Sequence, residues 1–178
     1  MRSYRITLYL LISFFFVFTS AQLSAAEVAR DARGMHGMVA AAHPKASQIG
    51  VDILKAGGNA IDAAVAVGFG LGVLEPNASG VGGGGFMMIR LAGKNDIIYI
   101  DSRGRAPGAA TGDMFELDEK GKVKPDARGF NPVAVGGRSI AVPGEVAGLL
   151  AALKKYGTMS REQVMQPAID YAENGILV

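Results

Sequence analysis

The sequence contains no cysteine, and this absence excludes several kinds of chemistry. Without thiols the chain can form no disulfide, no thiolate nucleophile and no zinc-thiolate site. Only two histidines occur, His36 and His43, which are too few for a metal centre built from imidazoles of this chain. We therefore expect both histidines to lie in loops or at helix caps, and we expect the fold to depend on burial and hydrogen bonding.

The chain also has little net charge, with 18 basic against 16 acidic side chains. Arg2 and Arg5 account for the difference, and both precede an apolar run from Ile6 to Thr19. A basic start, an apolar run and small residues near Ala21 and Ala26 are typical of a secretory signal peptide. The alternative is an uncleaved anchor, but about 14 apolar residues are short for the roughly 20 that span a bilayer.

We therefore predict that residues 1–26 are a signal peptide and that residues 27–37 form a loose polar lead-in. Cleavage would remove two basic side chains and no acidic one, so that the charges become equal. The electrostatic argument for a nucleic-acid partner then disappears. We expect a secreted, periplasmic product with no stable membrane anchor after cleavage.

The segment Ser79–Phe86 is the most informative feature of the chain, because glycine occupies five of the six positions from 80 to 85. Such a segment tolerates positive φ angles and close approach of another backbone. Gly80, Gly82 and Gly85 satisfy G-x-G-x-x-G, but a helix precedes them and a strand follows, which is the reverse of the dinucleotide fingerprint. No Gly-Lys-Ser or Gly-Lys-Thr occurs, so a P-loop is not predicted. A ligand near the main chain and a ligand-free tight connection both remain open.

Apolar periodicity, capping residues and turn residues together predict an α+β fold. The predicted helices cover residues 46–56, 60–74, 145–156 and 161–174. The predicted strands cover residues 38–42, 86–92, 97–100 and 139–142, and the middle two form a hairpin. Residues 109–135 have no useful periodicity and are predicted to be a long surface excursion, with a short helix around Met114 as an option.

Two polar positions stand out as candidate functional residues. Asp62 is the one charged residue of the helix predicted for 60–74, and we interpret it as a structural acceptor near the helix N-terminus, with catalysis as the alternative. Arg103 follows the strand predicted for 97–100, where its planar fork of donors would suit a carboxylate and Asp101 could orient it. The alternative is a surface ion pair of Asp101 with Arg103 or Arg105.

Six motifs occur in an order that resembles the γ-glutamyltransferase family, also called glutathione hydrolases, in the N-terminal part of the large subunit. They are Gly57–Ala64, Leu74–Pro76, Ser79–Phe86, the Asp-x-Arg-x-x-Ala-Pro of Asp101–Pro107, Val142–Gly144 and Tyr156–Thr158. The resemblance covers residues 38–178. It implies part of an αββα sandwich of the N-terminal-nucleophile hydrolase type, incomplete in this chain, made as a precursor that cuts itself into two subunits.

The resemblance also implies an activity and a substrate contact. A new N-terminal threonine of the small subunit would attack the γ-glutamyl amide of glutathione or a related compound, and water or an amino acid would accept the acyl group. No metal or organic cofactor is expected. Arg103 matches the family arginine that holds the substrate α-carboxylate, which replaces the ion-pair alternative above. The family usually has an acidic residue next, where this chain has Gly104.

The four threonines are Thr7, Thr19, Thr111 and Thr158, and none lies in the small-subunit motif. We therefore expect no catalytic residue in this chain, which would be silent without the small subunit or the missing C-terminal part. The apolar end Ile176–Val178 also favours a truncated product or a fragment. The alternatives are a non-catalytic secreted binding or scaffolding protein and a structural domain without a ligand.

Overall fold

The computed structural model describes residues 32–176. The predicted signal peptide, the first part of the lead-in and the last two residues lie outside them. The chain divides into two compact units between Met38 and Val39. Residues 32–38, the described part of the first unit, contain no helix or strand. No helix within residues 32–176 is both long and apolar enough to cross a membrane.

The second unit is α+β, as predicted. Its helices are α1 (Pro44–Lys55), α2 (Ala60–Leu74), α3 (Glu145–Tyr156) and α4 (Arg161–Asn174). Its strands β1 (Phe86–Arg90) and β2 (Ile97–Asp101) form an antiparallel hairpin. The four predicted helices and the predicted hairpin are confirmed, with boundaries shifted by one to two residues at α1, β1 and β2.

Helix α2 lies at the centre of the unit and packs against α1, α3 and α4. Its glycines make room for side chains of the neighbouring helices. A Cβ atom at Gly70 would lie 2.7 Å from Cδ1 of Ile49 in α1, and one at Gly68 would lie 3.0 Å from Cδ1 of Leu149 in α3. The small residues of α2 therefore serve helix packing and bring α1 and α3 close to its axis.

The hairpin covers one side of this helical core. The inward-facing side chains pack on the core, and one of them, Ile89, is buried; they are Met87, Ile89, Ile98 and Ile100. The alternate side chains Phe86, Met88, Ile97 and Tyr99 face outward and are each more than half exposed. One face of the hairpin is thus packed on helices and the other is apolar and uncovered.

Two predicted strands are wrong. Residues 38–42 form no strand; instead Val39 and Ala41 pack on the helical core, and the Ala41 N–H donates to Ser47 Oγ at 3.0 Å. Residues 139–142 hold the end of a 3-10 turn, Gly137–Ser139, and one bridge that joins Val142 to Arg105. A strand needs a partner ladder, and neither segment has one in the described chain.

The excursion predicted for residues 109–135 consists of turns and a single bridge between Leu117 and Val123. No helix forms around Met114, whose N–H makes a turn bond to the Thr111 carbonyl at 3.2 Å. The segment contains exposed apolar side chains, Leu117, Phe130, Val133 and Val135. It contributes no residue to the buried core.

Candidate functional site

The end of β2 and the glycine loop, defined as residues 79–85, are paired by backbone hydrogen bonds. The Ser102 N–H donates to the Gly85 carbonyl at 3.0 Å, and the Gly85 N–H donates to the Ser102 carbonyl at 3.3 Å. The Ser102 hydroxyl donates to the same Gly85 carbonyl at 3.0 Å. The hairpin ladder therefore continues past both strands and places Arg103 next to the loop.

The glycine loop also contacts the start of α3. The Gly83 carbonyl accepts from the N–H groups of Gly144 and Glu145 at 3.0 and 3.1 Å. The N-cap residue Gly144 has no side chain to satisfy these donors. The loop carbonyl takes the place of a side-chain cap, and so the loop and the helix start are held together.

We call the meeting point of the glycine loop, residues 101–105 and residues 142–145 the junction. Close packing at the junction explains why position 84 is a glycine. A Cβ atom at Gly84 would lie 2.5 Å from the Ser102 carbonyl oxygen and 3.0 Å from Cα of Arg103. The backbone that approaches the loop is thus that of Ser102 and Arg103, which makes the loop a tight connection and also the support of a candidate binding residue.

The side chain of Arg103 is exposed, and its Cζ atom lies 5.6 Å from the centroid of the Phe86 ring, over its face. Its backbone N–H donates to Asp101 Oδ1 at 3.0 Å. The ion pairs within residues 32–176 join Lys124 to Glu116, Arg128 to Asp126 and Arg161 to Glu162. Asp101 therefore orients the backbone of Arg103, and its pairing with either nearby guanidinium is not observed.

Two clefts flank the junction. One, of about 660 Å³, is lined by the glycine loop together with Gly72, residues 76–78 and Glu145. The other, of about 340 Å³, is lined by residues 100–103, Arg105 and one side of α3. Arg103 lies at the second cleft, where its charge is open to a ligand anion.

Asp62 belongs to a different cluster at the far end of α3. It is fully buried and accepts from the Asn59 N–H at 2.8 Å, the Thr158 N–H at 2.9 Å, the Thr158 hydroxyl at 2.6 Å and the Met159 N–H at 3.1 Å. The Asn59 amide in turn donates to the Tyr156 carbonyl at 2.8 Å. Residues 57–64 and 156–158, two motifs far apart in the sequence, therefore meet here.

The environment of Asp62 explains its ionisation. Burial alone would raise the pKa of this carboxyl group, but the hydrogen bonds from Thr158, Asn59 and Met159 outweigh it and hold the pKa below its ordinary value. A fully buried carboxylate with a lowered pKa is a weak base at neutral pH. The geometry supports the predicted structural acceptor rather than the catalytic alternative.

The histidines and threonines of residues 32–176 also have defined surroundings. His43 caps α1, where its Nδ1 accepts from the Lys45 N–H at 3.1 Å, and His36 lies in an exposed bend, as predicted for cap and loop histidines. No cluster of three His, Asp or Glu side chains in residues 32–176 could hold a metal ion. Thr158 is bound to Asp62, and a hydrogen bond from Thr111 lowers the pKa of exposed Asp113.

Two further residues, Ser102 and Gly148, meet at the junction and were not predicted from the sequence as part of the site. Gly148 is buried in α3, and a Cβ atom there would overlap the Ser102 side chain. The one sequence signal for this contact is the Gly144-x-x-x-Gly148 spacing, which puts two glycines on one helix face.

Comparison with known proteins gives a consistent result. The family described as Gamma-glutamyltranspeptidase matches residues 46–178. The Glutathione hydrolase proenzyme of Bacillus subtilis (strain 168) is 54% identical over 142 residues, which are 80% of this chain and 23% of that protein. The proenzyme of Escherichia coli (strain K12) is 47% identical over 152 residues, which are 85% of this chain and 25% of that protein. The chain thus spans about a quarter of the length of these relatives.

Solved structures agree with the sequence matches. The crystal structure of Helicobacter pylori gamma-Glutamyltranspeptidase matches with a TM-score of 0.73 at 46% identity, covering 82% of this chain and 40% of that one. Gamma-glutamyltranspeptidase from Pseudomonas nitroreducens, complexed with L-DON, matches with a TM-score of 0.69 at 41% identity, covering 79% of this chain and 39% of that one.

Proposed function

The chain belongs to the gamma-glutamyltranspeptidase family, and from this membership we propose that it forms part of an enzyme that transfers or hydrolyses the γ-glutamyl group of glutathione and related compounds. The observation that carries the proposal is Arg103. Its guanidinium is exposed at a cleft, free of any ion pair within residues 32–176, and its backbone is fixed by the junction.

We propose that residues 38–178 form the N-terminal portion of the large subunit and one half of an αββα sandwich. The helices already cover the inner face of the hairpin. Its outer face presents four exposed apolar side chains, Phe86, Met88, Ile97 and Tyr99, and such a surface favours a second sheet packed on it. The partner sheet would come from the portion of the family fold that this chain does not match, either as the small subunit or as a further part of the precursor.

The proposed reaction uses a threonine supplied from outside these 178 residues. Its free α-amine accepts the hydroxyl proton while the oxygen attacks the γ-carbonyl carbon of the substrate. The amide C–N bond breaks, the leaving amine takes the proton, and a γ-glutamyl ester of the threonine forms. Water or the amine of an amino acid then attacks the ester, which releases glutamate or a new γ-glutamyl amide and restores the threonine. No step needs a metal or organic cofactor.

Arg103 would hold the substrate rather than react with it. Its two terminal nitrogens can bind both oxygens of the α-carboxylate in parallel, and such a charge-assisted contact supplies on the order of 1.5 to 3 kcal/mol. The contact would limit the distance from the carboxylate to the γ-amide, because three carbons, the Cα, Cβ and Cγ atoms of the glutamyl group, separate the two groups.

Family membership alone does not determine which acyl group the complete enzyme would transfer. An Acylase ACY 1 proenzyme of Pseudomonas sp. (strain V22) is 48% identical over 151 residues, which are 84% of this chain and 26% of that protein. A different acyl donor is therefore the second candidate, and a non-catalytic secreted binding or scaffolding fragment is the third. Dependence on the substrate α-carboxylate distinguishes γ-glutamyl transfer from transfer of another acyl group, since a site built around Arg103 should require a carboxylate.

The test uses the full chain continued with the part of the Bacillus subtilis relative that follows the matched region. We would compare γ-glutamyl-p-nitroanilide with 4-aminobutyryl-p-nitroanilide, which lacks the α-carboxylate. The proposal expects strong preference for the first donor and loss of that preference in Arg103→Ala. Arg161→Ala is the matched control, because Arg161 is an exposed arginine at the start of α4, outside both the junction and the hairpin. Equal use of both donors by the unmodified enzyme would refute γ-glutamyl specificity.

Export is a separate proposal. We propose that residues 1–26 direct the chain to the periplasm and are removed there. The mass of the N-terminal peptide of the product recovered from the periplasm tests this: a start after Ala21 or Ala26 supports export, and a retained Met1 in the cytoplasm contradicts it.

A further inference from the structure

Helix α3 has a notch where it faces the junction. Its floor is made by Gly144 and Gly148, which lie about one helical turn apart on the same face. A Cβ atom at Gly148 would overlap Cβ and Oγ of Ser102, and a Cβ atom at Gly144 would overlap the Ser102 carbonyl oxygen and lie 3.2 Å from the carbonyl oxygen of Arg103. Ser102 fills this notch, and neither glycine can carry a side chain while Ser102 stays in place.

Ser102 is held equally firmly on its other side. Its hydroxyl and its N–H both donate to the Gly85 carbonyl, each at 3.0 Å, and its carbonyl accepts from the Gly85 N–H. The residue is thus wedged between α3 and the glycine loop, and it immediately precedes Arg103.

Arg103 has few restraints of its own. Its side chain is exposed and contacts the Phe86 ring, and its backbone N–H bonds to Asp101. The position of its Cα atom is therefore set by the neighbouring residue that is packed on both sides. Two parallel hydrogen bonds to a carboxylate tolerate little displacement, and a shift of about 1 Å in a positioned group can cost up to a hundredfold in rate or affinity.

We propose that Ser102, seated in the notch of Gly144 and Gly148, is a positioning residue that sets where the Arg103 guanidinium meets the substrate α-carboxylate. This inference rests on the proposed function. It assigns to α3 a role in substrate binding, although no side chain of α3 contacts the substrate in the proposal.

The experiment uses the same continued chain and both p-nitroanilide donors. Gly148→Ala places a methyl group where the Ser102 side chain lies, and Ser102→Gly removes that side chain, so the two changes combined relieve the overlap. Gly144→Ala meets the backbone carbonyl of Ser102, and Ser102→Gly cannot relieve that overlap. Gly112→Ala is the control, because a Cβ atom at this position meets no atom within 4 Å.

Gly148→Ala is expected to raise KM for the γ-glutamyl donor about tenfold to a hundredfold with little change in kcat. KM for the 4-aminobutyryl donor should stay the same, since no carboxylate contact is lost. The double variant should return to the KM of Ser102→Gly alone, whereas Gly144→Ala combined with Ser102→Gly should not recover. A defect that lowers kcat equally for both donors would indicate general damage and would overturn the positioning role.

Ser102→Ala keeps the inference testable if the glycine variants do not fold. It creates no overlap and removes the hydroxyl bond to Gly85, and a several-fold rise in KM confined to the γ-glutamyl donor is expected. Unchanged KM in both Ser102→Ala and Gly148→Ala would overturn the inference while leaving the proposed function intact. Equal use of both donors by the unmodified enzyme would instead refute the proposed function itself.

Discussion

Thr158 donates both its N–H and its hydroxyl to the carboxylate of Asp62, at 2.9 and 2.6 Å, across a separation of 96 residues in the sequence. The contact joins the first turn of α2 to the connection between α3 and α4. Because α3 begins at the junction and ends at this contact, the same helix links the buried carboxylate to the candidate substrate site.

Asp62→Asn should lower the free energy of unfolding by about 1 to 3 kcal/mol, since an amide would present N–H groups to donors that need an acceptor. Chemical denaturation of the full chain at neutral pH measures the change. Asp52→Asn is the control, because Asp52 is exposed on α1 and its side chain accepts from the exposed Gln48 side chain. Equal stabilities of the two variants would contradict the buried network.

Stability should also fall at acid pH through Asp62. Its folded pKa lies below the ordinary value of 3.8, so the carboxylate stabilises the fold fully above that value. The contribution is lost as the pH drops below 3.8 and through the folded pKa. Exposed Asp113, Glu116 and Glu162 and half-buried Asp126 also have lowered pKa values and add a background. The difference between the unmodified chain and Asp62→Asn, measured from pH 7 to pH 3, should therefore shrink; a constant difference would argue against this linkage.

Gly157→Ala should destabilise the chain by about 1 to 3 kcal/mol through overpacking. A Cβ atom there would lie 2.6 Å from Asp62 Oδ1 and 2.7 Å from the Leu153 carbonyl oxygen. The φ angle of Gly157 is −78°, so backbone strain plays no part and the cost is steric. Thermal unfolding of Gly157→Ala, compared with that of Gly112→Ala, tests this prediction. Equal melting temperatures of the two variants would show that position 157 has room for a methyl group.

Arg103→Ala should raise KM for γ-glutamyl donors about tenfold to a hundredfold, which corresponds to losing a charge-assisted contact of 1.5 to 3 kcal/mol. Steady-state kinetics of the continued chain give the value. Arg103→Lys should recover only part of the loss, because an ammonium group cannot make two parallel bonds. Unchanged KM in Arg103→Ala would remove this residue from the site.

The 178-residue chain by itself should release no p-nitroaniline from γ-glutamyl-p-nitroanilide. Of the threonines in residues 32–176, Thr158 donates a hydrogen bond from its hydroxyl to the Asp62 carboxylate, whose lowered pKa makes it a weak base, and Thr111 lies on the surface beside Asp113. Turnover that exceeds the enzyme-free blank and is lost in Thr111→Ala or Thr158→Ala would contradict the proposal that the nucleophile comes from outside this chain.

Local signals were reliable where the structure they specify is local. Helices α2, α3 and α4 begin and end where predicted because Asn59, Gly157 and Ser160 act within one turn of the helix that each bounds. The strands predicted for residues 38–42 and 139–142 were wrong because an apolar run becomes a strand only beside a partner, and sequence periodicity does not report the partner.

The helices, the hairpin and the motif that contains Arg103 could be predicted from the amino-acid sequence, because each depends on residues close together along the chain. The contacts between motifs become visible in the folded chain: Asn59 and Asp62 contact residues 156–159, and Gly85 contacts Ser102 in the notch of α3. These contacts depend on close packing between distant segments, where one added methyl group would collide with a backbone atom, and no local pattern in the chain specifies which segments will approach each other.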